Sequence, residues 1–373
     1  MLPRPAVYIH YPWCVRKCPY CDFNSHPLKD SDDFGAYRSA LEQDWHCQRR
    51  QFDLDDTIET VFLGGGTPSL FAPEHIYSSL TMLPLGAAAE ITMEANPGTT
   101  EHAVFSGYLD AGVNRLSIGA QTFNDAQLKH LGRIHRAADT IGAFEQAREG
   151  GFQNINLDLM WGLPQQTVEQ ALADLETAIG LNSEHISWYQ LTLEPKTEFY
   201  RRPPTLPLDD TLADIERLGL ELLQASGYER YEVSAFTRDG RYCRHNLNYW
   251  SFGDYVGIGA GAHGKLSTMA DTGLEVLRTR KASQPRLYLQ RPGHTDINPV
   301  SAGARPLEFM MNALRLVHGV PVETFTERTG LEWSDIEPVW QRLHQQGLVE
   351  AGRCATTSLG LRYLDSVLAE FVA

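Results

Sequence analysis

Three thiols stand close together near the start of the chain, in Cys14-Val15-Arg16-Lys17-Cys18-Pro19-Tyr20-Cys21, a C-x3-C-x2-C spacing that closes a first apolar run. Soft sulfur donors suit iron, and one tight loop can fold around a small inorganic cube. Cys14, Cys18 and Cys21 are therefore expected to hold a [4Fe–4S] cluster. Such a cluster has four corners, so three thiolates leave one iron open to a small molecule. The plainer reading is a zinc site or buried thiols. Zinc usually takes paired C-x2-C or Cys/His sets, however, and the nearest later cysteines, Cys47 and Cys243, stand alone.

Further along, polar or glycine-rich strings follow short apolar runs: GGGTP (Gly64–Pro68), MEANP (Met93–Pro97), GAQTF (Gly119–Phe123) and DLMWGLP (Asp158–Pro164). Glycines let the backbone approach a ligand closely and expose N–H donors. Glu94 and Asp158 can accept from hydroxyls, while Gln121 and Arg133 can fix a carboxylate. Solvated charges at strand ends are the bland alternative, strongest for Arg133. Gly259–Lys265 fits GxxxxGK, but Leu266 replaces the Ser or Thr that would hold Mg²⁺ and the string lies late in the chain. That excludes an NTPase loop and leaves a glycine-rich wall.

The elements that must position these groups alternate. Strand-like runs fall at Val7–Tyr11, Thr60–Leu63, Glu90–Glu94, Arg115–Ile118, Ile155–Met160 and Ile186–Leu193. Helical patterns fill the gaps at Asp33–Gln48, Pro73–Leu83, Glu101–Ala111, Ala137–Gly150 and Val168–Ile179, with Ser31 or Asp32 available to cap the first. Six successive units predict an α/β fold: a partial (β/α)6 TIM-like barrel over residues 1–200, with chemistry at the C-terminal strand ends. A doubly wound sheet would offer only one crevice, whereas the strings recur after every strand.

After Pro195 the pattern changes. A proline cluster leads to an amphipathic helix at Asp209–Ser226, a strand-like run at Tyr228–Phe236 and an aromatic, glycine-rich stretch, together a connecting segment over 201–300. Residues 301–373 read as a mainly helical, winged-helix-like module with Met310, Met311 and Leu314 in its core. Composition is ordinary for a globular protein, at 42% hydrophobic and 21% charged. A net charge of −15 argues against nucleic acid as a main partner. Six cysteines are too few for a disulfide scaffold, and with no signal-like start or long apolar span the expectation is a cytoplasmic protein.

The cysteine loop, followed one strand later by GGGTP, resembles the radical S-adenosylmethionine (SAM) superfamily. MEANP, SIGAQTF and NLDLMWGLP are similar to strings of its oxygen-independent coproporphyrinogen III oxidase branch. The resemblance implies that SAM chelates the open iron and is contacted by Tyr8, Gly65, Gly66, Thr67, Glu94, Gln121, Arg133 and Asp158. Within the branch, the chain is most similar to a group of haem chaperones. The oxidases extend their loop to C-x3-C-x2-C-x-C, whereas Phe23 stands here after Asp22, which argues against decarboxylation of coproporphyrinogen. The string His245-Asn246-Leu247-Asn248-Tyr249-Trp250 resembles the chaperones' haem-binding motif. An imidazole can serve as an axial ligand, Tyr249 and Trp250 can flank a porphyrin, and Asn246 can orient the ring. His245 is the expected haem ligand and Cys243 the alternative; a satisfied core histidine is the plainer reading. The implied function is a carrier that binds haem and passes it to an acceptor haem protein such as a cytochrome. A membrane-associated acceptor and a homodimer are left open. The catalytic alternative is a radical SAM enzyme acting on a porphyrinogen.

Overall fold

The structure is a computed structural model that describes residues 5–54, 57–98, 105–271 and 273–372. Six strands are parallel and adjacent in chain order: β1 (Ala6–Tyr11), β2 (Ile58–Gly65), β3 (Leu85–Ala95), β4 (Arg115–Gln121), β5 (Ile155–Trp161) and β6 (His185–Gln190). Helices α1 (Phe34–Gln51), α2 (Pro73–Thr81), α3 (Phe105–Asp110), α4 (Asp125–His130), α5 (Ala137–Glu149) and α6 (Val168–Gly180) lie between them. The expected helix at 101–111 is described from Phe105 onward; residues 101–104 lie outside the described range.

Side chains alternate across a strand with a period of two, and here the alternation separates chemistry as well as direction. Val7, Ile9, Val61, Leu63, Ile91, Met93, Leu116, Ile118, Leu157 and Ile186 join the apolar core with the helices. Burial of each such side chain contributes ~1.5–3 kcal/mol. The intervening positions carry Tyr8, His10, Thr60, Glu90, Glu94, Arg115, Ser117, Asn156, Asp158, His185 and Tyr189. The barrel interior is thus polar, and several of its groups satisfy one another: Asn156 donates to Ser117 and Asp158, and bonds the His185 ring, whose far nitrogen meets the Tyr231 hydroxyl at 2.9 Å.

Residues 201–300 supply strands to both edges of this sheet. After the short α7 (Glu198–Arg201) and α8 (Asp209–Ala225), the run at Tyr228–Phe236 divides into β7 (Glu229–Glu232) and β8 (Ala235–Thr237), antiparallel beyond β6. The chain then crosses under the barrel as α9 (Arg244–Trp250) and inserts β9 (Tyr255–Ile258) parallel to β1, with Ala6 opposite Tyr255. β10 (His263–Ala270), β11 (Gly273–Arg280) and β12 (Asp296–Pro299) extend that edge antiparallel and complete a 12-stranded sheet. The parallel part therefore holds a seventh strand that the alternation did not reveal.

The helix caps follow local chemistry. Asp33, not Ser31 or Asp32, caps α1, its Oδ1 accepting from Ala36 N at 2.9 Å; Asp32 is engaged in the preceding turn by Lys29 N. Among the described residues from Arg305 onward, five short α-helices, a 3-10 turn at Trp333–Asp335 and a two-residue pairing of Val320–Pro321 with Arg353–Cys354 enclose a second apolar core. Met310 and Leu314 are fully buried there, but Met311 is 53% exposed: one step along a helix turns a side chain about 100° off the core face. Phe252 and Val276 enter the same core, so the module packs directly on the barrel segment. Among the described residues no helix is long and apolar enough to cross a membrane.

Candidate cofactor site

The cysteine loop leaves β1 and is closed at its neck by a short parallel pairing of Trp13 with His26 and Cys14 with Pro27. Cys14, Cys18 and Cys21 are free thiols that line one cavity of about 660 Å³ at the C-terminal mouth of the barrel, a volume in the range of small-molecule sites. Burial pushes the Cys14 and Cys21 thiols up, so metal loading there must release protons. Among the described residues no three His, Cys, Asp or Glu side chains converge as a single-ion site. Thiolates of an iron–sulfur cube each bind a different iron and need not converge.

Gly65, Gly66, Thr67, Glu94, Gln121, Arg133 and Asp158 line the same cavity. Gly66 N donates to Tyr11 O and Thr67 N to Trp13 O, which folds the glycine loop onto the strand bearing the cysteines. A Cβ at Gly66 would lie 2.3 Å from Trp13 O, so only glycine fits. Glu94 Oε2 accepts from Gly65 N at 3.0 Å. Burial, and then the nearby Asp158 charge, push its carboxyl up to about 7. Asp158 accepts from Ser117 Oγ and Asn156 Nδ2, and burial raises it too. Gln121, at a left-handed φ of 66°, accepts from the Tyr189 hydroxyl. Arg133 donates to Asn96 Oδ1 at 2.6 Å and to Gly119 O at 3.0 Å, and reaches Cys18 Sγ at 3.9 Å. It is a fixed charge beside the cysteine loop rather than a solvated one.

Tyr8 is the exception. It does not line the cavity: its hydroxyl donates to His10 Nδ1 and its ring stacks on Phe62 inside the barrel. Conversely, Asn96, Ser117 and Tyr189 line the cavity and were not singled out from the sequence. Asn96 has a visible signal, lying two residues after Glu94 in MEANP, and it donates to Thr67 Oγ1 at 2.8 Å.

The His245 string lies at the opposite end of the barrel, on α9. His245 is fully buried; its Nδ1 lies 3.1 Å from Thr60 Oγ1, so Thr60 rather than Asn246 orients the ring. Tyr249 packs edge-on against the imidazole with centroids 4.7 Å apart. Nε2 has no partner among the described residues. Burial, then the Arg115 charge, lower its pKa to about 3, so the ring is neutral. Burial pushes the Cys243 thiol up to about 11. Thr60 pairs with Glu90, four residues before Glu94 on β3, which places α9 ~13 Å below the cavity mouth. The glycine segment at 259–265 has no lysine free for a phosphate: Lys265 is buried and donates to Asp254 Oδ1 and Phe252 O.

The Radical SAM superfamily model matches residues 8–178 and the HemN C-terminal domain model residues 300–363. Proteins named heme chaperone HemW align end to end. The one from Escherichia coli is 46% identical over 100% of this chain and 99% of its own, and that from Bacillus subtilis is 34% identical over 94% of each. The chain belongs to the HemW family. A mouse relative, named radical S-adenosyl methionine domain-containing protein 1, mitochondrial, is 34% identical over 98% of this chain and 86% of its own. Among solved structures, coproporphyrinogen III oxidase from Escherichia coli matches with a TM-score of 0.82 at 21% identity, over 100% of this chain and 91% of that one, which shows the shared fold. Radical SAM membership brings a [4Fe–4S] cluster and SAM as cofactors. Three free thiols and a glycine-and-carboxylate cradle on one cavity fit both.

Proposed function

We propose that this protein is a haem chaperone that takes up haem and passes it to an acceptor haem protein, on a scaffold that keeps the radical SAM cofactors. The observation that carries the reading is the match at 46% identity across the whole of this chain to a protein named heme chaperone HemW. Cys14, Cys18 and Cys21 would hold the cluster; Gly65, Gly66, Thr67, Glu94, Gln121, Arg133 and Asp158 would hold SAM. When bound, the cluster would supply an open iron and, once reduced by an external electron donor, could pass one electron to the sulfonium. The chain's own part is to hold donors in place: Asn96 ties Thr67 to Arg133, and Gly65 N keeps Glu94 turned into the cavity.

His245 would ligate haem through Nε2. Because the ring is fully buried, a porphyrin reaches it only if α9 lifts from the base of the barrel, so haem uptake is coupled to movement of that helix. Exposed Phe23, on the cavity wall where the oxidases carry another thiol, supports the carrier over the catalyst. Six free cysteines support a cytoplasmic setting, and a net charge of −15 supports a protein or small-molecule partner over nucleic acid. The acceptor, whether membrane-associated or not, and a homodimer remain parts of the proposal.

The test is haem titration of cluster-loaded protein, followed by transfer to an apo-cytochrome. His245→Ala is expected to weaken haem binding at least tenfold; an unaltered haem spectrum and affinity would move the ligand elsewhere, with Cys243 next. Formation of protoporphyrinogen from coproporphyrinogen, SAM and reductant would overturn the carrier reading.

A further inference from the structure

The cysteine loop is tied to the barrel on two sides. On one, Phe199 N donates to Pro19 O at 3.0 Å. On the other, three residues past Cys21, the Asn24 amide donates both hydrogens across the chain, to Ala260 O at 2.9 Å and Ser283 O at 2.8 Å. The backbone carbonyl of Asn24 accepts from His10 Nε2 at 2.9 Å, while its side-chain Oδ1 lies 3.3 Å from His26 Nε2. That bond fixes the tautomer: with its proton on Nε2, His10 accepts from the Tyr8 hydroxyl at Nδ1. The His10 ring also lies against the SAM-side glycine loop, where a Cβ on Gly65 would come within 2.5 Å of it. One imidazole therefore touches both the cysteine loop and the glycine loop. The brace inside the cysteine loop, Lys17 Nζ to Phe23 O and Ser25 O, does not reach the barrel.

The glycine-rich segment at 259–261 completes the anchor. Gly261 has φ +82°, and a Cβ there would stand 2.1 Å from Asn24 Nδ2. The missing side chain is the space the amide occupies. Asparagine is chemically required, since its Nδ2 faces two carbonyl oxygens and a carboxylate would meet them with like charge.

We propose that Asn24 is a positioning residue which, with His10 and the Gly261 socket, sets the tilt of the cysteine loop so that the open iron faces the SAM cradle. This rests on the cofactor reading given above. Asn24→Asp is nearly isosteric, whereas Gly261→Ala pushes on the same amide from the other side and also strains its own left-handed backbone, so the effect the two variants share reports on the contact. With three cysteines untouched, iron and sulfide content should match the parent. SAM affinity, by equilibrium binding to the reduced protein, should fall about tenfold, the loss expected from two hydrogen bonds. The change that SAM induces in the electron paramagnetic resonance spectrum of the reduced cluster should shrink in both. Parental affinity and spectral response in either variant would overturn the proposal. So would loss of iron in both with unchanged melting, which would make Asn24 a loading residue. A parent protein that takes up no cluster would instead overturn the cofactor reading, and the proposal with it.

Discussion

Glu94 is half-buried on the cavity wall, and its desolvation there, then the charge of nearby Asp158, raise its pKa from 4.5 to about 7. Its folded value exceeds its unfolded one, so the stability it lends is complete below pH 4.5 and is lost as pH rises through about 7. The difference corresponds to ~3 kcal/mol at most. In urea unfolding of cofactor-free protein between pH 5 and 8, Glu94→Gln should therefore gain on the parent as pH rises; a constant gap between the two would show that Glu94 is not the group responsible. Cys18→Ser should abolish the brown colour of reconstituted protein, and unchanged iron and sulfide content would move the ligand. The thiols and the glycine loop were legible in the sequence because their chemistry is local. Thr60 beside His245 and Tyr189 beside Gln121 were not, since such contacts depend on which strands adjoin and in what register. Tyr8 shows the limit: its place before the cysteines suggested a SAM contact, while its hydroxyl is engaged by a histidine two residues on.

Helix α8 shows how an element can carry a locally unfavourable residue for the sake of packing. Gly219 lies inside it, where glycine costs ~1 kcal/mol relative to alanine. A Cβ at this position would stand 2.1 Å from Trp188 Cη2 on the outer face of β6. Gly219→Ala should nonetheless destabilise the protein by ~1–3 kcal/mol, because overpacking outweighs propensity; a raised melting temperature would show that the indole moves aside freely. Strand–helix alternation was readable from its two periods. The four residues of β9 were not: Tyr-Val-Gly-Ile in a glycine-rich stretch gives no sign that its partner lies near the start of the chain. The split of 228–236 into β7 and β8 was hidden likewise, because a short apolar run carries no mark of a reversal.

For the whole molecule, the segment expected to connect two parts instead borders the barrel on both edges, and the C-terminal core draws Phe252 and Val276 from it. A chain cut after Asp254 should therefore be insoluble or aggregated by sedimentation, since one edge of β1 is left bare; a soluble monomer with parental circular dichroism would show that the cysteine-bearing half stands alone. The same pairing has a consequence for biosynthesis. Ala6 leaves the ribosome about 250 residues ahead of Tyr255, its partner, a wait of ~12–50 s at ~5–20 residues per second. Through that interval the nascent protein presents the strand leading into its own cysteine loop to its neighbours in the cell.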